Sequence, residues 1–205
     1  MNRTDPVSIP QPRGWRAEAL RIGFALLLLL GFRSAFANHY VVPTGSMQPT
    51  LMPGDRVLVD MRAYGLRLPF THARLAGAGV PQRGEIAVLT SPVDGERLIK
   101  RVVAVGGDHV EVRAGHLRIN GRPLAVVDTL AQERLGGRLY ALDLAHGGGP
   151  DVVGRVPVGH LLVMGDARGN SLDGRMFGLV PADAAYARAV AVYWRRGDGP
   201  VWQQL

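Results

Sequence analysis

Short stretches of alternating apolar and polar residues, or of β-branched residues, recur along the chain after Pro43 and constrain its fold more than any other feature. Turn signals such as Asn120-Gly121 separate these stretches. Two-residue alternation is typical of half-buried strands, and short strands joined by tight turns are typical of antiparallel sheets. The sequence therefore predicts a mainly β, antiparallel fold, with strands at residues 56–60, 85–90, 98–105, 109–112, 116–119, 161–164 and 189–194.

An unbroken apolar run at residues 22–32 precedes the β-rich region and contains five consecutive leucines. A helix of this length spans only about 16 Å of the roughly 30 Å of membrane hydrocarbon, so flanking residues must help it to cross. If the arginines at its two ends snorkel, the run predicts a transmembrane anchor over residues 19–37. The same pattern, with its small-residue triplet at 35–37, is also typical of a signal peptide that is cleaved before Asn38. Both interpretations stay open at this point.

Charge around the apolar run predicts the orientation of the chain. Four arginines precede the run, whereas only Arg33 follows it before Arg56. By the positive-inside rule, residues 1–18 form a short cytoplasmic segment. Residues 38–205 are then an extracytoplasmic β-rich domain beside the membrane, in which residues 128–155 form either an inserted lobe or a loop.

Composition excludes several classes of function. The formal net charge is +7, but the sequence has no long run of like charges and only 6% aromatic residues, so we expect no nucleic-acid partner. The absence of cysteine excludes disulfide scaffolds, thiolate metal sites and cysteine nucleophiles.

Lys100 is the only lysine in a chain with 23 arginines. An arginine cannot lose its proton in a protein, whereas a lysine amine in an apolar pocket can lose its proton near neutral pH. Lys100 is therefore either a base or a chance survivor of a drift towards arginine.

Ser46 lies just beyond the apolar run, in the segment 43–51. A serine between glycine and proline is ordinarily a turn residue. A nucleophile at this place would act on substrates at the membrane surface, and its N–H together with the Thr44 hydroxyl could donate to a developing oxyanion. Other known arrangements fail, because the sequence lacks a nucleophile elbow, a His-Glu-x-x-His motif and a lysine three residues after Ser46.

Four segments, in the same order, resemble the boxes of bacterial type I signal peptidases, the serine/lysine-dyad leader peptidases of the S26 family. They are residues 46–51, 54–59, 100–108 and 165–175. The resemblance extends from about residue 18 to about residue 192. It implies a mainly β, antiparallel-sheet catalytic domain with one N-terminal membrane helix, in the bacterial cytoplasmic membrane.

The resemblance also implies roles for individual residues. Ser46 is the expected nucleophile and Lys100 the expected general base. Thr44 matches the family's hydroxyl in the oxyanion hole, and Ser171 matches the hydroxyl that orients the lysine amine. We expect burial to lower the pKa of Lys100 towards neutrality.

Further residues of the last box are expected to support the site. Asp173, with Arg175 and Arg101, resembles an ion-pair network near the catalytic residues, although a surface ion pair is the alternative. The chain departs from the family at three positions, where the family usually has Asn, Asp and Ser; they are Ala167, Gly169 and Gly174. These departures put the rigidity of that loop in doubt.

The implied function is membrane-bound serine endopeptidase activity that removes signal peptides after small residues, with an Ala-x-Ala preference and without metal or cofactor. The implied partners are preproteins with signal peptides, membrane lipid and the secretion machinery. The substrate would add as a strand to a sheet edge, for which residues 52–60 and 102–105 are candidates. Met164 and Phe177 are candidate walls of the lysine pocket.

Two alternatives stay open from the sequence. A specialised conjugation-type serine/lysine peptidase would process a dedicated substrate. A non-catalytic, membrane-tethered β module would bind peptides and would leave Ser46 and Lys100 without a role.

Overall fold

The computed structural model describes residues 14–67, 74–76, 79–126 and 129–205. Helix α1 covers Trp15–Phe36 and leads directly into the first strand, and the short helix α2 covers Gly174–Phe177. The described residues include the following strands: β1 (Ala37–Val41), β2 (Arg56–Asp60), β3 (Leu66–Arg67), β4 (Arg74–Ala76), β5 (Ile86–Thr90), β6 (Arg97–Val105), β7 (His109–Arg113), β8 (His116–Ile119), β9 (Arg122–Pro123), β10 (Ala125–Val126), β11 (Thr129–Leu135), β12 (Arg138–Ala141), β13 (Val152–Arg155), β14 (His160–Met164), β15 (Val180–Pro181), β16 (Ala185–Arg195) and β17 (Gly199–Gln204).

The strands confirm the predicted antiparallel, mainly β fold. The largest sheet has the strand order β1-β2-β16-β5-β6-β14-β15, and β17 pairs with β16 beside this path. Every strand pair in the sheet is antiparallel. The long strand β6 is shared between two neighbours, because its first half pairs with β5 and its second half pairs with β14.

Smaller sheets flank the largest one. Strands β13, β7, β8 and β9 form a four-stranded sheet in that order, and β10, β11 and β12 form a three-stranded sheet. A further pair consists of β3 and β4. The segment 128–155, which the sequence left open between a lobe and a loop, thus contributes to two sheets through β11, β12 and β13. Residues 127 and 128 lie outside the described residues.

Buried apolar side chains fix the turn that follows β1. This turn contains a 3-10 helix at Gly45–Met47, and Met47 and Leu51 are almost completely buried. Both side chains belong to a core cluster with Val57 of β2 and Ile99 of β6. Because burying a large apolar side chain contributes about 1.5–3 kcal/mol, these two anchors hold the turn against the centre of the sheet.

The N-terminal helix α1 bears on the predicted membrane anchor. The predicted span over residues 19–37 falls largely within α1. Within the described residues, no helix combines the length and the apolar character needed to cross a membrane. The membrane anchor therefore stays a prediction.

Candidate active site

Ser46 and Lys100 are far apart in sequence but adjacent in the structure. Ser46 lies in the anchored 3-10 turn, and Lys100 lies near the middle of β6. The Lys100 Nζ is 2.7 Å from the Ser46 Oγ and donates to it. The same amine donates to the Ser171 Oγ at 3.0 Å. Three residues that the sequence singled out therefore meet at one amine.

Burial changes the proton affinity of this amine. Lys100 is only 3% exposed, and among the described residues no carboxylate forms an ion pair with it. Desolvation by burial lowers the pKa of Lys100 from 10.5 to about 8. The negative charges of Asp173 and Asp166 oppose this shift, and the positive charge of Arg175 adds to it. A substantial fraction of the amine is therefore neutral in mildly alkaline solution.

Ser171 connects the lysine to a buried ion pair. Its hydroxyl hydrogen-bonds to Asp173, which also accepts from the Gly165 N–H at 2.9 Å. The Arg175 guanidinium donates to the two carboxylate oxygens of Asp173 at 2.9 and 2.8 Å. Both side chains of this pair are fully buried, which excludes the alternative of a surface ion pair. Burial would raise the pKa of Asp173, but the hydrogen bonds and charge of Arg175 hold it below its usual value.

Arg101 has a different partner from the one that the sequence suggested. It does not join Asp173; its Nε and Nη2 donate to the two carboxylate oxygens of Asp166, at 2.8 and 2.6 Å. Thr50 donates to the same carboxylate. Asp166 and Thr50 lie within two of the four family-like segments, but their spacing in the sequence gave no sign of this pairing. This network joins the Ser46 turn to the loop after β14.

Close contacts leave no room for a Cβ at three glycines of the β14–α2 loop (residues 165–173) and of its junction with α2. A Cβ at Gly165 would lie 2.3 Å from both the Ser46 carbonyl oxygen and the Ser171 Oγ. A Cβ at Gly169 would lie 2.0 Å from the His146 carbonyl oxygen, and one at Gly174 would lie 2.7 Å from the Leu162 side chain. The loop is thus tightly packed at Gly169 and Gly174, two of the positions where the resemblance led us to expect larger residues.

The main chain of the loop also contacts the Ser46 turn. The Ala167 N–H, another departure from the family, donates to the Ser46 carbonyl oxygen at 3.1 Å. The Thr44 hydroxyl lies at the other side of the turn and donates to the Ser46 Oγ at 3.3 Å. The Thr44 hydroxyl therefore lies beside Ser46, as predicted, together with Lys100 and Ser171.

A cavity of about 210 Å³ opens beside the serine and the lysine. The segments 41–44 and 96–99 line it together with Met47, Ser46 and Lys100. Met164 and Phe177, the predicted walls, do not line this cavity; they pack in separate parts of the core. The lining combines apolar side chains with the polar groups of Thr44, Ser46 and Lys100.

An unpaired strand edge borders the same cavity. Residues 97–100 pair with β5 on one side, and no other strand of the described residues pairs with them, because β14 begins its pairing at Arg101. The predicted edge at 52–60 is wrong, since β2 lies between β1 and β16. The predicted edge at 102–105 is also wrong, since β14 covers it. A larger groove of about 450 Å³, between Arg138 and Gln203, does not include Ser46 or Lys100.

Sequence comparisons with known proteins agree on one family. The sequence profile of the family described as "Signal peptidase, peptidase S26" matches residues 15–194. Signal peptidase I of Pseudomonas fluorescens is 34% identical over 194 residues, which cover 82% of this chain and 68% of that protein. A probable signal peptidase I-1 of Synechocystis is 35% identical over 209 residues, which cover 96% and 91%. A signal peptidase I from Enterococcus faecalis with a known crystal structure is 25% identical in sequence to this chain. The structural match covers 59% of this chain and 96% of that protein's chain, with a TM-score of 0.39.

Proposed function

The chain belongs to the S26 signal peptidase family, and we propose that Ser46 is its nucleophile and Lys100 its general base. Family membership makes the chain a signal peptidase hydrolase and not a silent peptide-binding module. The observation that carries the proposed dyad is the 2.7 Å separation between the Ser46 Oγ and a buried lysine amine. The lowered pKa of Lys100 supports the same roles, because only a neutral amine can accept a proton.

The first chemical step forms an acyl-enzyme. With the amine neutral, the Ser46 hydroxyl donates to Nζ, and its oxygen attacks the scissile carbonyl carbon while the proton passes to Lys100. The resulting ammonium then gives that proton to the leaving amine as the peptide bond breaks. Ser171 accepts from the amine and is itself held by Asp173, which fixes the direction of Nζ towards Ser46.

The second step is hydrolysis of the ester. Lys100 takes a proton from water, the hydroxide attacks the ester carbonyl, and the proton returns to the Ser46 oxygen. In both steps the Thr44 hydroxyl and the Ser46 N–H would donate to the oxyanion, because both lie at the start of the same turn. The carbonyl oxygen would then be stabilised without any metal or cofactor.

We propose that the substrate is a signal peptide with an Ala-x-Ala end, bound in the cavity beside Ser46. An extended peptide can add to the unpaired edge at residues 97–100, where it would form main-chain hydrogen bonds. Alternate side chains of such a peptide point to the same side, so the last and third-last residues would face the small cavity. The cavity of about 210 Å³ borders both Ser46 and this strand edge, so it is the place where these two side chains would lie.

We also propose that the chain is retained in the bacterial cytoplasmic membrane with its domain on the outer side. The apolar run at residues 22–32 and the arginines before it support this placement. Ala37 and Asn38 pair with Asp60 and Val59 in β1–β2, so cleavage between them would cut into a paired strand. Alkaline extraction of membranes and N-terminal sequencing test this: an uncut, unextracted chain is expected, and a soluble chain starting at Asn38 contradicts retention.

Cleavage of a quenched-fluorescent signal peptide with an Ala-x-Ala end tests the function. Ser46→Ala and Lys100→Arg should each reduce the rate at least about 10⁴-fold, because the first lacks the nucleophile and the second keeps the charge but cannot lose its proton. Ser91→Ala, a control at a buried serine of the β5–β6 turn, should cleave normally. Activity that survives in either dyad variant would refute the proposed roles.

A further inference from the structure

The hairpin β11–β12 carries a buried carboxylate that the proposed chemistry does not use. Glu133 is completely buried, and it accepts from three donors. These are the Leu117 N–H at 2.8 Å, the Tyr140 hydroxyl at 2.7 Å and the Arg168 Nη2 at 2.7 Å. Replacing a buried ion pair by apolar residues is often neutral or stabilising, so stability alone does not explain its presence.

Arg168 links this carboxylate to the loop that carries Ser171. It is fully buried, and its Nε donates to the Gly165 carbonyl oxygen at 3.1 Å. Gly165 is the residue at which the loop touches both Ser46 and Ser171, within a distance that leaves no room for a Cβ. A guanidinium held by Glu133 therefore fixes the point of contact between the loop and the serine turn.

Tyr140 provides a second link from the same carboxylate. Its hydroxyl is held by Glu133, and its ring lies 4.0 Å from the guanidinium carbon of Arg101. Arg101 follows Lys100 in β6 and pairs with Asp166 of the loop. The Glu133 carboxylate thus binds Arg168 directly and is connected to Arg101 through the Tyr140 ring.

We propose that Glu133 is a positioning residue for the serine/lysine site, acting through Arg168 and Tyr140. It touches neither the substrate nor the reacting atoms. It holds the β14–α2 loop so that Ser171 and Ser46 share the amine of Lys100, and this gives the β11–β12 hairpin a role in catalysis. The inference rests on the proposed dyad.

The chain offers a matched control for the test. Glu85 also accepts from a tyrosine hydroxyl, an arginine and a main-chain N–H; the donors are Tyr64 at 3.0 Å, Arg188 at 2.9 Å and Gln82 at 3.0 Å. The side chain of Glu85 makes no hydrogen bond to the β14–α2 loop among the described residues. Glu133→Gln is therefore compared with Glu85→Gln, and the milder Tyr140→Phe is compared with Tyr64→Phe.

The kinetic readout separates positioning from a loss of folded protein. Glu133→Gln should lower kcat about 100-fold with little change in KM, because displacement of the loop by about 1 Å misaligns the amine while the cavity is formed by other elements. Tyr140→Phe keeps the ring on Arg101 and should lower kcat about 5–10-fold. If Glu133→Gln does not fold, Tyr140→Phe decides the question. Both control variants should keep the wild-type kcat per folded molecule.

A second readout does not depend on cleavage. Because Lys100 is the only lysine, carbon-13 labelling of lysine gives one side-chain signal, and its titration reports the pKa of this amine alone. The two variants at Glu133 and Tyr140 should raise that pKa, since a displaced loop admits water, and the controls should not. Unchanged kcat and unchanged pKa in Tyr140→Phe would overturn the inference. Failure of the dyad itself would appear separately, as cleavage that survives in Ser46→Ala.

Discussion

Two neighbouring buried regions hold their cations in opposite ways. In the first region, Lys100 donates only to serine hydroxyls, and no carboxylate pairs with it among the described residues. In the second region, immediately behind the site, each arginine has a buried carboxylate. The pairs are Arg101–Asp166, Arg168–Glu133 and Arg175–Asp173.

The two regions show that equally buried cations can have opposite net changes in pKa, depending on whether a carboxylate pairs with them. Burial lowers the pKa of Lys100 to about 8 because neighbouring charges compensate only in part. Burial alone would also lower the pKa of Arg101, but Asp166 raises it by charge and hydrogen bonding. The second region thus keeps its charges fixed and rigid, and the first keeps an amine that can exchange a proton.

Breaking a pair in the second region should have the largest effect on stability. Asp173→Asn leaves the buried Arg175 guanidinium without its carboxylate, and we expect a loss of about 3–5 kcal/mol in the free energy of unfolding. Urea denaturation measures this loss. Glu111→Gln is the control, because it removes an ion pair to Arg113, which is 63% exposed, and should cost less than about 1 kcal/mol. Equal losses in the two variants would contradict the distinction.

Removing the unpaired cation, Lys100, should instead increase the free energy of unfolding. The folded pKa of Lys100, about 8, lies below the unfolded value of 10.5. Between these values only the unfolded chain holds the proton, so this group makes stability rise with pH; below pH 8 the folded state carries the full cost. Lys100→Met should therefore stabilise the fold by about 3 kcal/mol at pH 7 and abolish that rise.

Denaturation at several pH values between 7 and 10.5 provides this measurement. Ser46→Ala serves as its control, because it keeps the lysine and should keep the rise in stability with pH. A Lys100→Met variant that is less stable than the wild type at pH 7 would show that the amine is not strained by burial.

Giving Lys100 a carboxylate should make the first region resemble the second. Ser171→Asp places a negative charge at a position that now lies 3.0 Å from Nζ, and it should raise the pKa of the lysine. The acid limb of kcat/KM should then move to higher pH by about 1–2 units, as measured from pH 6 to pH 10. Ser171→Asn has nearly the same shape without the charge, and an equal shift in this variant would mean that shape is responsible.

Local sequence patterns were sufficient to predict the bounds of strands that alternate regularly. The predicted bounds 56–60 and 116–119 agree with β2 and β8, because both strands alternate regularly between buried and exposed residues. The short strands β9, β10 and β15 were missed because two residues contain no periodicity. The edge strand β1 was missed because it follows the apolar run without a turn signal.

In the site, too, local patterns identified some residues, whereas pairings between residues far apart in sequence were missed. The single lysine and the family-like segments were enough to suggest Ser46 and Lys100 as partners. The role of Glu133 was not visible, because it lies in a segment without a clear pattern and its partner Arg168 is 35 residues away. The partner of Arg101 was also missed, since pairing across strands depends on register that the sequence does not contain.

Direct titration of Lys100 tests the central claim that this amine can be neutral in the folded protein. Carbon-13 at Cε of the only lysine gives one signal, which can be followed by NMR from pH 6 to pH 11 in the folded wild-type chain. A midpoint near pH 8 is the predicted result. A midpoint at or above the ordinary value of 10.5 would mean that Lys100 stays charged at neutral pH and would contradict its role as the base.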